Sequence, residues 1–239
     1  MTHALRHGIW AAALAFWPAL SVAQTQPVVV ELYTSQGCAA CPPADALIEH
    51  LAEREDVIAL ALHVDYWDYI GWADVFADPK FSARQKNYAR KAGRASVYTP
   101  QMIIGGMDEV KGSSTMQAMG AIQDHLRAVP AQPPITLGLT QTAAGVMTLE
   151  ARAQAPLSRH ADIQLVRYID SATVEILSGE NSGRSITYRN IVTAWDVIGD
   201  WDGSAPFSRQ LRVQGTEPVV VIVQEQGQGQ VLAAIRYRN

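Results

Sequence analysis

Val28-Val29-Val30-Glu31-Leu32-Tyr33 is an apolar run, and Cys38-Ala39-Ala40-Cys41 follows it closely; this junction decides how the chain is read. A continuous apolar run of that length predicts a strand buried on both faces. Ala44, Leu47, Ile48 and Leu51 then recur at helical spacing, with Asp45 in the first turn where the helix dipole favours an acid. A two-residue spacer brings both sulfurs to the first turn of whatever follows the strand. The chain has 2 cysteines in all. No separate bridge can therefore stabilise the fold, and the pair is a site candidate before it is a staple.

Outward from this junction, strands and helices alternate. Val57 to Val64 is a second buried strand. Asp78-Pro79 starts a helix, proline being tolerated at its first position, and Gly93 suits its end. Met102 to Ile104 and Asp108 to Lys111 flank Gly105-Gly106 as a tight hairpin. Ser113 or Ser114 caps a last helix running through Leu126. Residues 27–129 thus form an α/β domain, and Pro130-Ala131-Gln132-Pro133-Pro134 a stiff linker over 130–134. Beyond it, over 135–239, eight short runs separated by Gly, Asn, Asp and Pro turns predict an all-β sandwich. Two of these runs are Asp162 to Ile169 and Thr173 to Leu177, read as separate strands, and Gly179 to Arg184 is read as a flexible hairpin loop.

Hydrophobic residues make up 48% of the 239 positions and charged residues 18%, which supports a substantial core. The formal charge is −4 and no basic block occurs, which argues against nucleic acid as a partner. Arg6 and His7, the apolar stretch Gly8 to Leu20 and the small residues Ser21 and Ala23 read as a signal peptide over residues 1–23. That stretch is shorter than the roughly 20 residues that span a bilayer. Nothing later reads as a membrane span, so the mature chain is expected to be periplasmic or secreted, where disulfides persist.

A Cys-x-x-Cys opening a helix after a buried strand supports three chemistries: redox exchange, soft-metal binding, or a local disulfide. In the first, the helix dipole and free N–H groups stabilise the thiolate of Cys38, the attacking sulfur, and Cys41 resolves the mixed disulfide. Gly37 is expected to leave room for a partner chain. Pro42-Pro43 weakens the case for a depressed Cys38 pKa, because two donors are missing where the helix begins.

The Cys38-Cys41 junction, Thr99-Pro100 ahead of the strand Met102 to Ile104, and the hairpin-plus-helix finish resemble the thioredoxin fold. That resemblance implies a cis Pro100 packed against the disulfide, with Thr99 offering backbone hydrogen bonds to a bound peptide. The phrases Thr34-Ser35-Gln36-Gly37-Cys38, Cys41-Pro42-Pro43-Ala44-Asp45, His63-Val64-Asp65-Tyr66-Trp67-Asp68 and Tyr98-Thr99-Pro100-Gln101 are together similar to a family of secreted, thioredoxin-like bacterial proteins of unknown function. The fold class expected is accordingly an α/β thioredoxin-like domain followed by an all-β sandwich.

His63 and Asp65 lie two apart at the end of the second buried strand and are expected to face the same way. His63 either assists Cys38 or is held by hydrogen bonds to Asp65 or backbone. Trp67, with Tyr66, Tyr69, Ile70, Trp72 and Phe76, either walls a substrate groove or packs the loop onto the core. Asp196, Asp200 and Asp202 lack the spacing of a calcium loop and read as a solvated turn.

The reading that follows is thiol-disulfide exchange with exported protein thiols or disulfides through Cys38 and Cys41, without a cofactor. One alternative is a copper-binding or copper-delivery protein using Cys38, Cys41 and His63, a soft ligand set suited to Cu(I). Another is a binding module with a static disulfide. The exchange reading expects both sulfurs to be reachable at the sheet rim.

Overall fold

The structure is a computed structural model that describes residues 26–238. The expected signal peptide, residues 1–23, lies outside them. Strands occupy 43% of the described residues and helices 19%.

The first half holds β1 (Val28–Thr34), α1 (Pro42–Ala52), β2 (Val57–His63), α2 (Pro79–Lys91), β3 (Gln101–Ile104), β4 (Asp108–Lys111) and α3 (Thr115–Ala128). The second holds β5 (Ile135–Ala143), β6 (Val146–Ala153), β7 (Ala161–Glu175), β8 (Ser185–Trp201), β9 (Phe207–Arg212), β10 (Val219–Glu225) and β11 (Val231–Tyr237).

The expected fold class does not form. A thioredoxin-like α/β domain followed by a separate sandwich would keep the two halves' strands in separate sheets. Instead one 8-stranded mixed sheet runs β11-β10-β7-β8-β2-β1-β3-β4, and only β5-β6-β9 form a second, 3-stranded sheet. β7 and β8 are long, and β8 lies parallel to β2 with Ala61 opposite Ile191. The reason is legible in β2: all seven of its residues are buried. As a sheet edge it would present unpaired backbone to water. β8 covers that edge, and where the ladder stops Asn190 donates its side-chain amide to the carbonyl of Ala59 at 2.8 Å.

The core follows from this continuity. Val29, Ile58, Leu60 and Leu62 of the first half share one apolar cluster with Val166, Val192, Val220 and Ile222 of the second, under Phe81 and Tyr88 of α2. On the opposite face of the first half, Val28, Val30 and Leu32 pack with Leu47 and Ile48 of α1 and Ile122 of α3. Val219, Val221 and Val223, the alternate residues of β10, pack with Leu137, Leu149 and Leu211 of the small sheet, giving a sandwich-like, β-rich second half. Arg84 of α2 clasps the two halves. It donates bidentately to Glu31 of β1 at 2.7 Å, reaches Gln224 of β10 at 2.9 Å and stacks on Trp195 of β8 at 3.9 Å.

Candidate functional site

The chain leaves β1 at Thr34 and turns twice before α1. Cys38 N–H donates to the Ser35 carbonyl and Cys41 N–H to the Cys38 carbonyl, at 3.1 and 3.2 Å. Cys41 is the N-cap of α1, and Pro42 and Pro43 fill the first two helical positions. N–H groups there have no intrahelical acceptor, so the two prolines remove nothing the helix uses. Cys38 and Cys41 form a disulfide with their Cα atoms 5.4 Å apart.

The sulfurs are not reachable at a rim, contrary to the expectation. Cys38 is 1% exposed and Cys41 0%. Ala39 and Ala40 between them face solvent. The turn that carries them is held from the second half of the chain, by the tip of the β7–β8 hairpin. Asn181, itself buried, donates its side-chain amide to the carbonyls of Gln36 (2.8 Å) and Cys38 (3.0 Å). Glu180 accepts from Ala39 N–H at 3.4 Å, and Ser178 donates to the Gly71 carbonyl.

The room expected beside Gly37 is also taken. A Cβ built there would lie 3.2 Å from Ile70 Cδ1 and 3.3 Å from Trp67 Cβ. Trp67 donates its indole N–H to Thr99 Oγ1 at 2.7 Å and packs against the core, so it ties the cysteine loop to the Thr99-Pro100 loop. The Thr99–Pro100 peptide bond is cis. Pro100 is buried beside the start of α1: a Cβ on Gly112 would lie 2.8 Å from Pro100 Cβ and 3.2 Å from Ala44 Cβ.

His63 and Asp65 part company. His63 Nδ1 lies 2.7 Å from Asp74 Oδ2, both side chains being fully shielded. Its ring meets Phe76 and Tyr188 edge-on at 5.3 and 4.9 Å, and its Nε2 is buried with no hydrogen-bond partner. Asp65 turns to α2, where Ser82 donates its hydroxyl. Asp74 further accepts from Gln36 N–H (2.8 Å) and Phe76 N–H (2.9 Å), which pins the loop leading to Cys38. In α1 the N–H of Asp45 donates to the Cys41 carbonyl at 3.1 Å. Its carboxyl accepts from Thr34 Oγ1 at 2.8 Å through one oxygen and has no partner on the other. Burial pushes this carboxyl up to about 7, against the pull of His63 and of the Thr34 hydrogen bond.

Sequence reasoning named Cys38, Cys41, His63, Asp65, Trp67, Thr99 and Pro100 as candidates and did not single out Asp74, Asp45 or Asn181 as site residues. Asp45 was visible only as a helix-start acid. Asp74 and Asn181 act across long separations that no local pattern marks. The copper set is not assembled: among the described residues no three His, Cys, Asp or Glu side chains converge as metal ligands. No described helix is long and apolar enough to cross a membrane.

Fold and site define a β-rich protein in which one disulfide opens a helix, a hairpin tip holds the turn between its cysteines and β1, and a buried His–Asp pair pins the loop leading to it. The chain belongs to the DUF1223 family of proteins of unknown function, whose pattern matches residues 29–224. The crystal structure of protein AGR_C_4864 from Agrobacterium tumefaciens is similar at 30% identity, with a TM-score of 0.72 over 88% of this chain and 93% of that one. HBP35 of Porphyromonas gingivalis shares the fold at 14% identity, with a TM-score of 0.61 over 89% of this chain and 75% of that one. No curated protein matches.

Proposed function

We propose that the protein is an exported, periplasmic or secreted thiol-disulfide exchange protein acting on exported protein thiols or disulfides. One observation carries this reading: the sole cysteine pair opens the helix whose first turn carries Asp45, a buried acid that the fold leaves incompletely satisfied. A bridge with a sequence separation of 3 does little as a staple. Closing so short a loop restrains the unfolded chain by only about 2 kcal/mol, whereas a 15-residue loop gives about 3. Nearby, Asp45 Oδ2 and His63 Nε2 are buried without partners, an arrangement that costs stability and recurs where protons are handled.

In the reduced form the Cys38 thiolate attacks one sulfur of a client disulfide. A Cys38–client bond forms, the client S–S bond breaks, and one client thiolate leaves. Cys41 then attacks Cys38 Sγ, closing the bridge and releasing the second client thiolate. Two electrons pass from the pair to the client, and the two protons of the cysteine thiols end on the client's thiols. The reverse sequence oxidises a client. Thr99 and Pro100, tied to the site by Trp67, are the proposed peptide platform.

The test is insulin reduction and refolding of scrambled ribonuclease. Activity that vanishes in Cys38→Ser supports the reading; a Cys38→Ser protein equal to wild type in both assays rejects it. A second reading, a binding module with a static disulfide, is favoured by the burial of both sulfurs. It predicts that the folded protein resists reduction altogether.

A further inference from the structure

We infer that the tip of the β7–β8 hairpin, residues 176–184, is a gate over the Cys38–Cys41 bridge, with Asn181 as its latch. The inference rests on the exchange reading and assigns its regulation. The sheet part of the hairpin is firm, because β7 and β8 pair from Ala161–Trp201 to Glu175–Ser185. Ile176 at the neck is buried, and the tip closes on itself, with Gly183 N–H donating to the Ile176 carbonyl at 2.7 Å.

Beyond the neck the attachment changes character. Leu177, the large apolar residue of the tip, is 75% exposed and anchors nothing. Gly179 rests on Trp72, a Cβ there falling 3.3 Å from Trp72 Cβ. The tip is tied down by hydrogen bonds: Ser178 on Gly71, Glu180 on Ala39, and Asn181 on Gln36 and Cys38. Asn181 is fully engaged, since its own carbonyl oxygen accepts from Arg184 at 3.0 Å. Water can replace polar holds at small net cost, whereas pulling apolar surface out of a core has no such substitute. Segments with few buried apolar contacts open locally while the rest of the fold stays closed. The tip therefore lifts as a unit about its neck, and lifting it uncovers the turn that carries both sulfurs.

The latch binds the two backbone carbonyls that flank Gly37, one of them on Cys38 itself. A client chain lying across this turn would compete for the same acceptors. The closed tip thus stands where an incoming backbone would dock, and the gate selects for partners that can displace it.

The experiment measures the reduction rate of the bridge in the full protein by dithiothreitol, with alkylation counting released thiols. It compares wild type, Asn181→Ala, and a Ser178→Ala/Glu180→Ala double variant that leaves the buried asparagine in place. Urea midpoints are recorded in parallel. In wild type the rate levels off at high reductant concentration, because opening becomes limiting. Losing the two Asn181 hydrogen bonds speeds reduction about ten- to a hundredfold at fixed reductant, and the plateau disappears. The double variant gives a smaller acceleration, and it decides alone if Asn181→Ala does not fold.

Equal rates in all three proteins, linear in reductant, overturn the gate and leave the exchange reading standing. Accelerated reduction in the variants with no insulin reduction by any of them sustains the gate and sinks the exchange reading. A bridge that stays intact in every folded variant overturns both.

Discussion

Thr34 donates its hydroxyl hydrogen to Asp45 at 2.8 Å, joining the end of β1 to the first turn of α1 immediately behind the disulfide. It is a slender hold for a carboxyl that is 6% exposed and whose second oxygen has no partner. His63 pulls the acid down, and Asp74, also buried, pushes it up.

The pH dependence follows from that balance. The folded carboxyl titrates at about 7, above its unfolded value. Its contribution to stability is therefore fully present below about pH 4 and is lost as pH rises through 7. Asp45→Asn removes this dependence, so urea unfolding of wild type and variant should diverge between pH 4 and 8. The variant gains up to roughly 4 kcal/mol relative to wild type at the alkaline end. Parallel profiles would show that the carboxyl titrates alike in the folded and unfolded protein, and would contradict the upward shift.

Asp74 is the post on which the cysteine loop hangs, through Gln36 N–H, Phe76 N–H and His63 Nδ1. Asp74→Ala leaves a buried histidine and two backbone donors unpaired and should cost about 3–5 kcal/mol. Asp74→Asn keeps one of the two acceptor oxygens, enough for Gln36 N–H and His63 on one side or Phe76 N–H on the other, and should cost less than Asp74→Ala. Chemical denaturation of the two variants measures the difference.

Arg84 predicts that the halves unfold together. It bonds Glu31 in the first half and Gln224 in the second. Arg84→Ala strands a buried carboxylate and should lower stability by about 3–5 kcal/mol in a single transition. Hydrogen exchange would report β10 and β1 losing protection together; loss confined to one of them would contradict the clasp.

Gly112 is a spacing residue. A methyl there would press on Pro100 and Ala44 at 2.8 and 3.2 Å. Gly112→Ala should destabilise by about 1–3 kcal/mol and slow insulin reduction by displacing the Thr99-Pro100 loop from α1. Unchanged activity would separate that loop from the chemistry.

The elements of the first half were legible because each carries its own punctuation: the apolar run of β1, the Asp78-Pro79 start of α2, the Gly105-Gly106 turn. The sheet that joins them to the second half was not. β2 is uniformly apolar, and a run of that kind says that both faces are covered without saying which strand borders it. β7 was read as two strands because Asp170-Ser171 looks like a turn, yet both residues sit exposed within one continuous strand. Cys38 and Cys41 were plain from their spacing. Their burial was not, and neither was the hold on their turn by Asn181, 143 positions away from Cys38. An asparagine between glycines reads as a loop until its amide is seen to have acceptors. Likewise His63 lies two residues from Asp65 but bonds Asp74, since the loop between them folds back over the ring.

The reduction potential of the Cys38–Cys41 couple in the folded protein, equilibrated against glutathione buffers and read by thiol alkylation, tests the central claim most directly. An exchange protein gives a reversible couple above about −300 mV, reached while the fold persists. A bridge that opens only below about −300 mV, or only with unfolding, behaves as a structural disulfide and contradicts the account.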